Sequence, residues 1–227
     1  MSLLDRIGRA LVIAPHPDDE VLGCGGTIAR LTENGNEVHV AIVTQGRPPA
    51  FSAAQVSRVR NEAAAAHAML GVTATHWLDL PAAELDTIPH VELNRAIDAI
   101  VTAVAPDTLF LPFAGDIHLD HQLVFRSALV SARPRGPACP TLILAYETLS
   151  ETNWSAPCLA ASFVPNVSVD IAGTIERKLA AFGCFASQQT PFPHERSIDA
   201  LRALALLRGA TVHRAAAEAF VLIREVG

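Results

Sequence analysis

LVIAPHPDDEVLGCGGTIARL, residues 11–31, runs an apolar stretch from Leu11 to Ala14 straight into His16, Asp18, Asp19 and Glu20. Residues 11–14 read as a buried strand, and residues 20–33 as a helix closed by Asn34-Gly35. Three carboxylates and an imidazole within five residues repel one another and are costly to desolvate, so a positive charge is expected among them.

Working outward, the same alternation repeats. Further strands are expected at 37–44, 76–80, 108–113, 141–149, 167–171 and 217–225, and further helices at 52–70, 91–104, 119–132, 174–182 and 195–208. Pro48 and Pro49 mark a loop after the second strand. Strands alternating with helices imply right-handed crossovers and an α/β fold. The expectation is one domain, residues 1–227, with three layers: a mainly parallel twisted sheet, Rossmann-like, carrying helices on both faces. Gly23, Gly25 and Gly26 do not spell a dinucleotide fingerprint, and they read as small residues that let the first helix approach the sheet.

The chain has 227 residues, 50% of them hydrophobic and 18% charged, enough for a full core. A net charge of −6 argues against nucleic acid or an anionic membrane as partner. No apolar run reaches the roughly 18 residues a bilayer span needs. The opening MSLLDRIGRALVIAP does not read as a secretory signal, so a cytoplasmic protein with reduced thiols at Cys24, Cys139, Cys158 and Cys184 is expected.

A second polar cluster, GDIHLDH at 115–121, leaves the carboxyl end of the strand at 108–113. In parallel sheets ligands sit beyond those ends. If the two strands are near each other, His16, Asp18 and Asp19 meet Asp116, His118, Asp120 and His121, which is the composition of a divalent metal site.

HPDDE after one strand and HxxDH after a later one resemble the PIG-L (LmbE-like) N-deacetylases. LGCGGTIARL, Thr44-x-Gly46, Pro106-Asp107, Tyr146-Glu147, PNVSVDI (165–171), Lys178, Ser187-Gln188, Arg208-Gly209 and AEAF (217–220) extend the likeness over nearly the whole chain. The resemblance implies a zinc-dependent hydrolase that removes acetyl from an N-acetylglucosamine-type conjugate. It assigns His16, Asp19 and His121 as metal ligands and Asp18 as general base. His118 becomes the imidazole that stabilises the oxyanion or protonates the leaving amine, and Asp120 the carboxylate that orients it. It also offers Arg58 or Arg60 as substrate contacts. Gln45 stands where relatives often carry Asp, and Asp116 where some carry Tyr. Asp116 is therefore grouped with the substrate contacts. The implied partner is a small N-acetylated amino-sugar conjugate, and a homo-oligomer is in keeping with the family.

The chemistry suits the residues. Zinc with three protein ligands keeps a position for water, brings its pKa toward ~7 and polarises a carbonyl; ferrous iron suits the same ligands. Asp18, next to a ligand yet free itself, lies where a base must be. The loops at 45–55, 133–140 and 150–165 are expected to shape specificity, with Phe51, Trp154 and Phe192 as an apolar wall. Glu20 reads as a helix-dipole carboxylate, Arg58 with Glu62 as a helical ion pair, and His39, His67, His76, His90 and His213 as isolated surface or core histidines. Rival readings are a non-haem Fe(II) oxygenase using His16, Asp18 and His121, a two-metal phosphoesterase, and a catalytically silent sugar-binding homologue.

Overall fold

A computed structural model describes residues 4–136, 139–158 and 160–227. Its strands are β1 (Arg9–Ala14), β2 (Glu37–Gln45), β3 (Ala74–Pro81), β4 (Thr108–Pro112), β5 (Leu142–Tyr146), β6 (Val167–Asp170) and β7 (Ala217–Glu225). Its helices are α1 (Asp19–Glu33), α2 (Ala53–Leu70), α3 (His90–Val104), α4 (Leu119–Ser131), α5 (Ile175–Gly183) and α6 (Ile198–Ala210).

The strands form one sheet in the order β3-β2-β1-β4-β5-β7-β6. β1 pairs in parallel with both β2 and β4, and β7 runs antiparallel to both of its neighbours, β5 and β6. Strand order therefore reverses at β1. The carboxyl ends of β1 and β4 lie side by side there, as a switch point requires for a ligand crevice.

The strand period of two divides the core. Ala10, Val12 and Ala14 of β1 pack with α1, α2, α5 and α6 on one face, among them Leu22, Ile28, Ala66, Phe182 and Leu201. Leu11 and Ile13 face α3 and α4, against Leu93, Ile97, Val124 and Ala128. Burial on both faces is why β1 reads as a continuous apolar run.

α1 lies close to the sheet because it lacks side chains where the contact is tightest. A Cβ on Gly23 would sit 2.3 Å from Cδ2 of Tyr146, and one on Gly26 would sit 2.7 Å from Cδ1 of Ile171. Tyr146 cannot swing aside, since its ring is buried and its hydroxyl donates to the Ile13 carbonyl at 2.9 Å. A buried Lys178–Glu218 pair adds a second tie. Glu218 accepts from the N–H groups of Gly26 and Thr27, while Lys178 Nζ donates to the Leu22 carbonyl and to Glu218.

Three expectations change. The strand at 141–149 stops at Tyr146, and the last helix starts at Ile198 rather than 195, because Ser197 caps it by accepting from the Ala200 N–H. His39 and His76 are not isolated: β2 and β3 place their Nδ1 and Nε2 atoms 3.1 Å apart. His67 is a satisfied core histidine, bonded to Glu20 and Thr75. Among the described residues, no helix is long and apolar enough to cross a membrane.

Alanine at an unhindered helix position gains about 1 kcal/mol over glycine. At Gly23 the sign reverses, because the new methyl meets a fixed ring. We expect Gly23→Ala to lower unfolding stability by about 1–3 kcal/mol, read as a reduced urea midpoint at constant m-value; an unchanged or raised midpoint would remove the close-approach account.

Candidate active site

The tight turn after β1 and the amino end of α4 put the two charged clusters together. Asp19 Oδ2 accepts from the His16 backbone N–H at 2.9 Å, and lies 3.3 Å from His16 Nδ1 and 3.2 Å from His121 Nε2. Asp19 and His121 are fully buried. The outer nitrogens decide the tautomers. His16 Nε2 faces the Asp120 carboxylate at 3.0 Å, and His121 Nδ1 faces Asp116 at 2.8 Å. An ionised carboxylate only accepts, so each imidazole donates outward and turns its other nitrogen toward Asp19.

Two lone pairs and a carboxylate thus converge in a buried space. Asp19 Oδ1 and His121 Nε2 have no hydrogen-bond partner there. Such an arrangement is repulsive without a cation, and two imidazoles with one carboxylate suit a divalent metal. His16, His118 and Asp120 form a second potential set. It shares His16, through the nitrogen already engaged by Asp120, and so reads as support for the first.

Protons take the cation's place in the bare protein. Burial lowers the basicity of His16, but hydrogen bonds to Asp120 and Asp19 outweigh it and hold this imidazole up at about 9. Burial is likewise outweighed at His121, where the Asp19 charge and the Asp116 hydrogen bond raise it to about 10. His121 and His16 in turn keep Asp19 well below the usual carboxylate range despite its burial.

Asp18 is separate from this set. Its backbone stands at φ 121°, in a region L-residues rarely adopt, held by Glu20 Oε2 accepting from its N–H at 3.1 Å. Glu20 is itself pinned by His67 at 2.9 Å, so it does more than favour the helix dipole. Asp18 occupies the N-cap position of α1 without capping it. One carboxylate oxygen accepts from Arg196 Nη1 at 2.8 Å, and the other, Oδ1, is buried without a partner. Burial pushes this carboxyl up to about 8, against the pull of Arg196.

Several expected roles need correcting. Asp116 is fully buried behind His121 and accepts from Thr152 Oγ1 at 2.6 Å, so it cannot touch substrate. The Asp120 carboxylate orients His16 rather than His118, and is steadied by the Ala83 N–H at 2.7 Å. His118 is instead set by the Asp120 backbone N–H, which donates to its Nδ1 at 3.1 Å. Burial and the nearby His16 charge lower His118 to about 4, which favours the neutral ring, and the bond to Nδ1 leaves its proton on Nε2. Asp19, and not Asp18, lies between the imidazoles, which removes the oxygenase ligand set.

A cleft of 690 Å³ opens above this cluster. His16, Asp18 and His118 line it together with Phe51, Trp77, Arg58 and Arg60. Arg58 keeps its helical pair with Glu62 at 3.0 Å. Arg60 stacks 4.6 Å above Trp77 and donates to Gln45 Oε1 at 2.6 Å. Phe51 lines the cleft as expected, but Trp154 and Phe192 do not, and Trp154 Nε1 donates to Glu195. From the expected loops, Gln45, Gly46 and Glu151 contribute; Cys139 lies in a separate groove with Gly8 and Arg9. Arg196 and Trp77 escaped sequence reading. The only signal for Arg196 was the proline-flanked PFPHERS segment.

Residues 11–132, more than half of the chain, match the PIG-L family, described as GlcNAc-PI de-N-acetylase. The chain belongs to this family. It is 28% identical to 2'-N-acetylparomamine deacetylase of Streptomyces fradiae, over 81% of this chain and 74% of that one. It is also 28% identical to diacetylchitobiose deacetylase of Thermococcus kodakarensis, over 89% and 78% of the two chains. The solved structure of N,N'-diacetylchitobiose deacetylase from Pyrococcus horikoshii, complexed with an inhibitor, superposes with a TM-score of 0.77 at 25% identity, covering 97% and 85%. Membership in the PIG-L family sets the pair of motifs at β1 and β4 in a deacetylase context.

Two predictions follow from the geometry. Asp18→Ala and Asp18→Gly both delete the carboxylate, but only glycine relieves the positive φ. We expect the glycine variant to be about 1–2 kcal/mol more stable than the alanine variant in urea unfolding; equal midpoints would mean the turn is unstrained. The second concerns protons. His16 and His121, near 6.5 when unfolded, contribute stability that is complete below that pH and lost as pH rises through about 9 and 10. Asp18, raised to about 8, also favours the protonated fold. The metal-free protein should therefore lose thermal stability from pH 7 to 10. Added divalent metal should raise the midpoint more at pH 8 than at pH 6, because it binds the deprotonated imidazoles. A midpoint that stays flat over pH 7–10 in scanning calorimetry would contradict the assigned linkage.

Proposed function

We propose that this protein hydrolyses the N-acetyl group of an N-acetylglucosamine-type sugar conjugate, releasing acetate and a free amine, with zinc held by His16, Asp19 and His121. The carrying observation is the convergence of two imidazole lone pairs on the buried Asp19 carboxylate, beside Asp18, which lines an open cleft with one oxygen held by Arg196 and the other without a partner. Bound there, a divalent metal supplies Lewis-acid polarisation and a lowered water pKa. Zinc is preferred over ferrous iron because hydrolysis needs no redox change.

The chain's own groups account for the proton movements. Asp18 Oδ1 takes a proton from the attacking water as the bond to the acetyl carbon forms. Burial raises the proton affinity of this carboxyl, which favours both taking the proton and holding it until it is returned. The returned proton goes to the nitrogen as the C–N bond breaks. His118, neutral and protonated on Nε2, donates a hydrogen bond to the oxygen that gains negative charge. Asp116 and Asp120 hold the two ligand imidazoles in the required tautomers.

The substrate class rests on the relatives, whose names record acetylated amino sugars with different attachments. Phe51 offers apolar surface in the cleft for a sugar face, with the Arg60 guanidinium stacked on Trp77 and Arg58 among the other lining groups. Metal-free protein reconstituted with zinc, or anaerobically with ferrous iron, should release primary amine from one or more N-acetylglucosamine conjugates. Asp18→Asn should lower kcat by about 10²–10⁴-fold while still binding one metal per chain. Metal-loaded protein that leaves every N-acetyl conjugate intact would refute the deacetylase reading.

A further inference from the structure

We infer that Arg196 is a positioning residue for the base: it holds one oxygen of Asp18 so that the other is presented to the reacting water. The inference rests on the deacetylase reading above. Arg196 sits in the connector between α5 and α6, outside both sequence motifs, and reaches back to the site by its conformation. Its N–H donates to His194 Nδ1 and its carbonyl accepts from the Thr190 N–H, both at 3.0 Å, which fixes the backbone. The guanidinium is gripped on more than one side. Nε donates to Ser150 Oγ at 2.9 Å, and Nη2 lies 3.6 Å from Glu151 Oε1. Nη1 is left to donate to Asp18 Oδ2 at 2.8 Å.

A planar guanidinium fixed at Nε cannot move Nη1 independently, so the contact to Asp18 is set before substrate arrives. A carboxylate has two equivalent oxygens and rotates easily about its Cβ–Cγ bond. Here only Oδ2 has a side-chain partner, while Oδ1 is buried and unpartnered. Glu20 fixes the backbone of Asp18 from beneath, and Arg196 fixes its carboxylate from above. Arg196 also faces the cleft, so a substrate contact is the competing role that the test must separate.

The test compares wild type, Arg196→Ala, Arg196→Lys, Asp18→Asn and the Asp18→Asn/Arg196→Ala double variant, all metal-loaded, with metal content and melting measured for each. Arg196→Ala should lower kcat by about 10- to 100-fold with KM within about threefold, and Arg196→Lys should fall between it and wild type. Millimolar guanidinium should recover part of kcat in Arg196→Ala and none in Asp18→Asn. In the Asp18→Asn background, removing Arg196 should change the residual rate by less than about twofold, because its effect passes through the missing carboxylate. Ser150→Ala, which loosens the grip without touching Asp18, should lower kcat in the same direction by a smaller factor; it keeps the test open should Arg196→Ala not fold. A raised KM with unchanged kcat would assign Arg196 to substrate binding and overturn the inference. So would multiplicative losses in the double variant. Absence of amine release by wild type would instead overturn the deacetylase reading, and this inference with it.

Discussion

Burying the Asp19 carboxylate between two imidazoles is the constraint around which the molecule is arranged. An ionised carboxylate removed from water loses several kcal/mol of hydration unless charges and donors replace it. The replacement comes from His16 on the turn after β1 and His121 on the first turn of α4. It works only if β1 and β4 are neighbours and parallel, so that both turns open at the same sheet edge. The central position of β1 follows from that need, and its two-faced burial follows from the position.

The imidazoles are in turn held from behind. Asp116 and Asp120, both buried, give each ring an acceptor on its outer nitrogen and so leave the inner nitrogens pointing at Asp19. These carboxylates are tied to Thr152 and to the Ala83 N–H, on loops after β5 and β3. Four strand ends therefore contribute to one cluster, and the layers of support lie in elements far apart in sequence.

Asp18 is where local stability is given up. A non-glycine residue at φ 121° with a buried carboxylate and an unpartnered oxygen stores strain and desolvation together. Glu20 and Arg196 keep it in place. The close approach of α1 serves the same end: Gly23 and Gly26 let the helix that begins at Asp19 lie against Tyr146 and Ile171, so its first turn stays rigid beneath the site.

Most of the fold was legible because each element carries its own signal. Buried strands such as 11–14 and 108–112 are continuous apolar runs, and α2 has a Ser52 capping box and a Gly71 end. The ligand candidates were legible because clustered carboxylates and histidines have few other uses at a strand end. Assignments that depend on which side chain faces which were not. Asp116 stands behind His121 and Asp120 behind His16, placements that spacing does not encode, and the lowered basicity of His118 reflects burial and a neighbouring charge. Arg196 lies about 180 residues from Asp18, in a segment whose local pattern speaks only of a proline-bounded loop. Local periodicity and motif composition by themselves determined the α/β architecture and the metal-binding chemistry. Tertiary structure alone decided which carboxylates stand behind the imidazoles and which one keeps an unpartnered oxygen beside Arg196, because those placements depend on distances and desolvation created when separate strand ends meet.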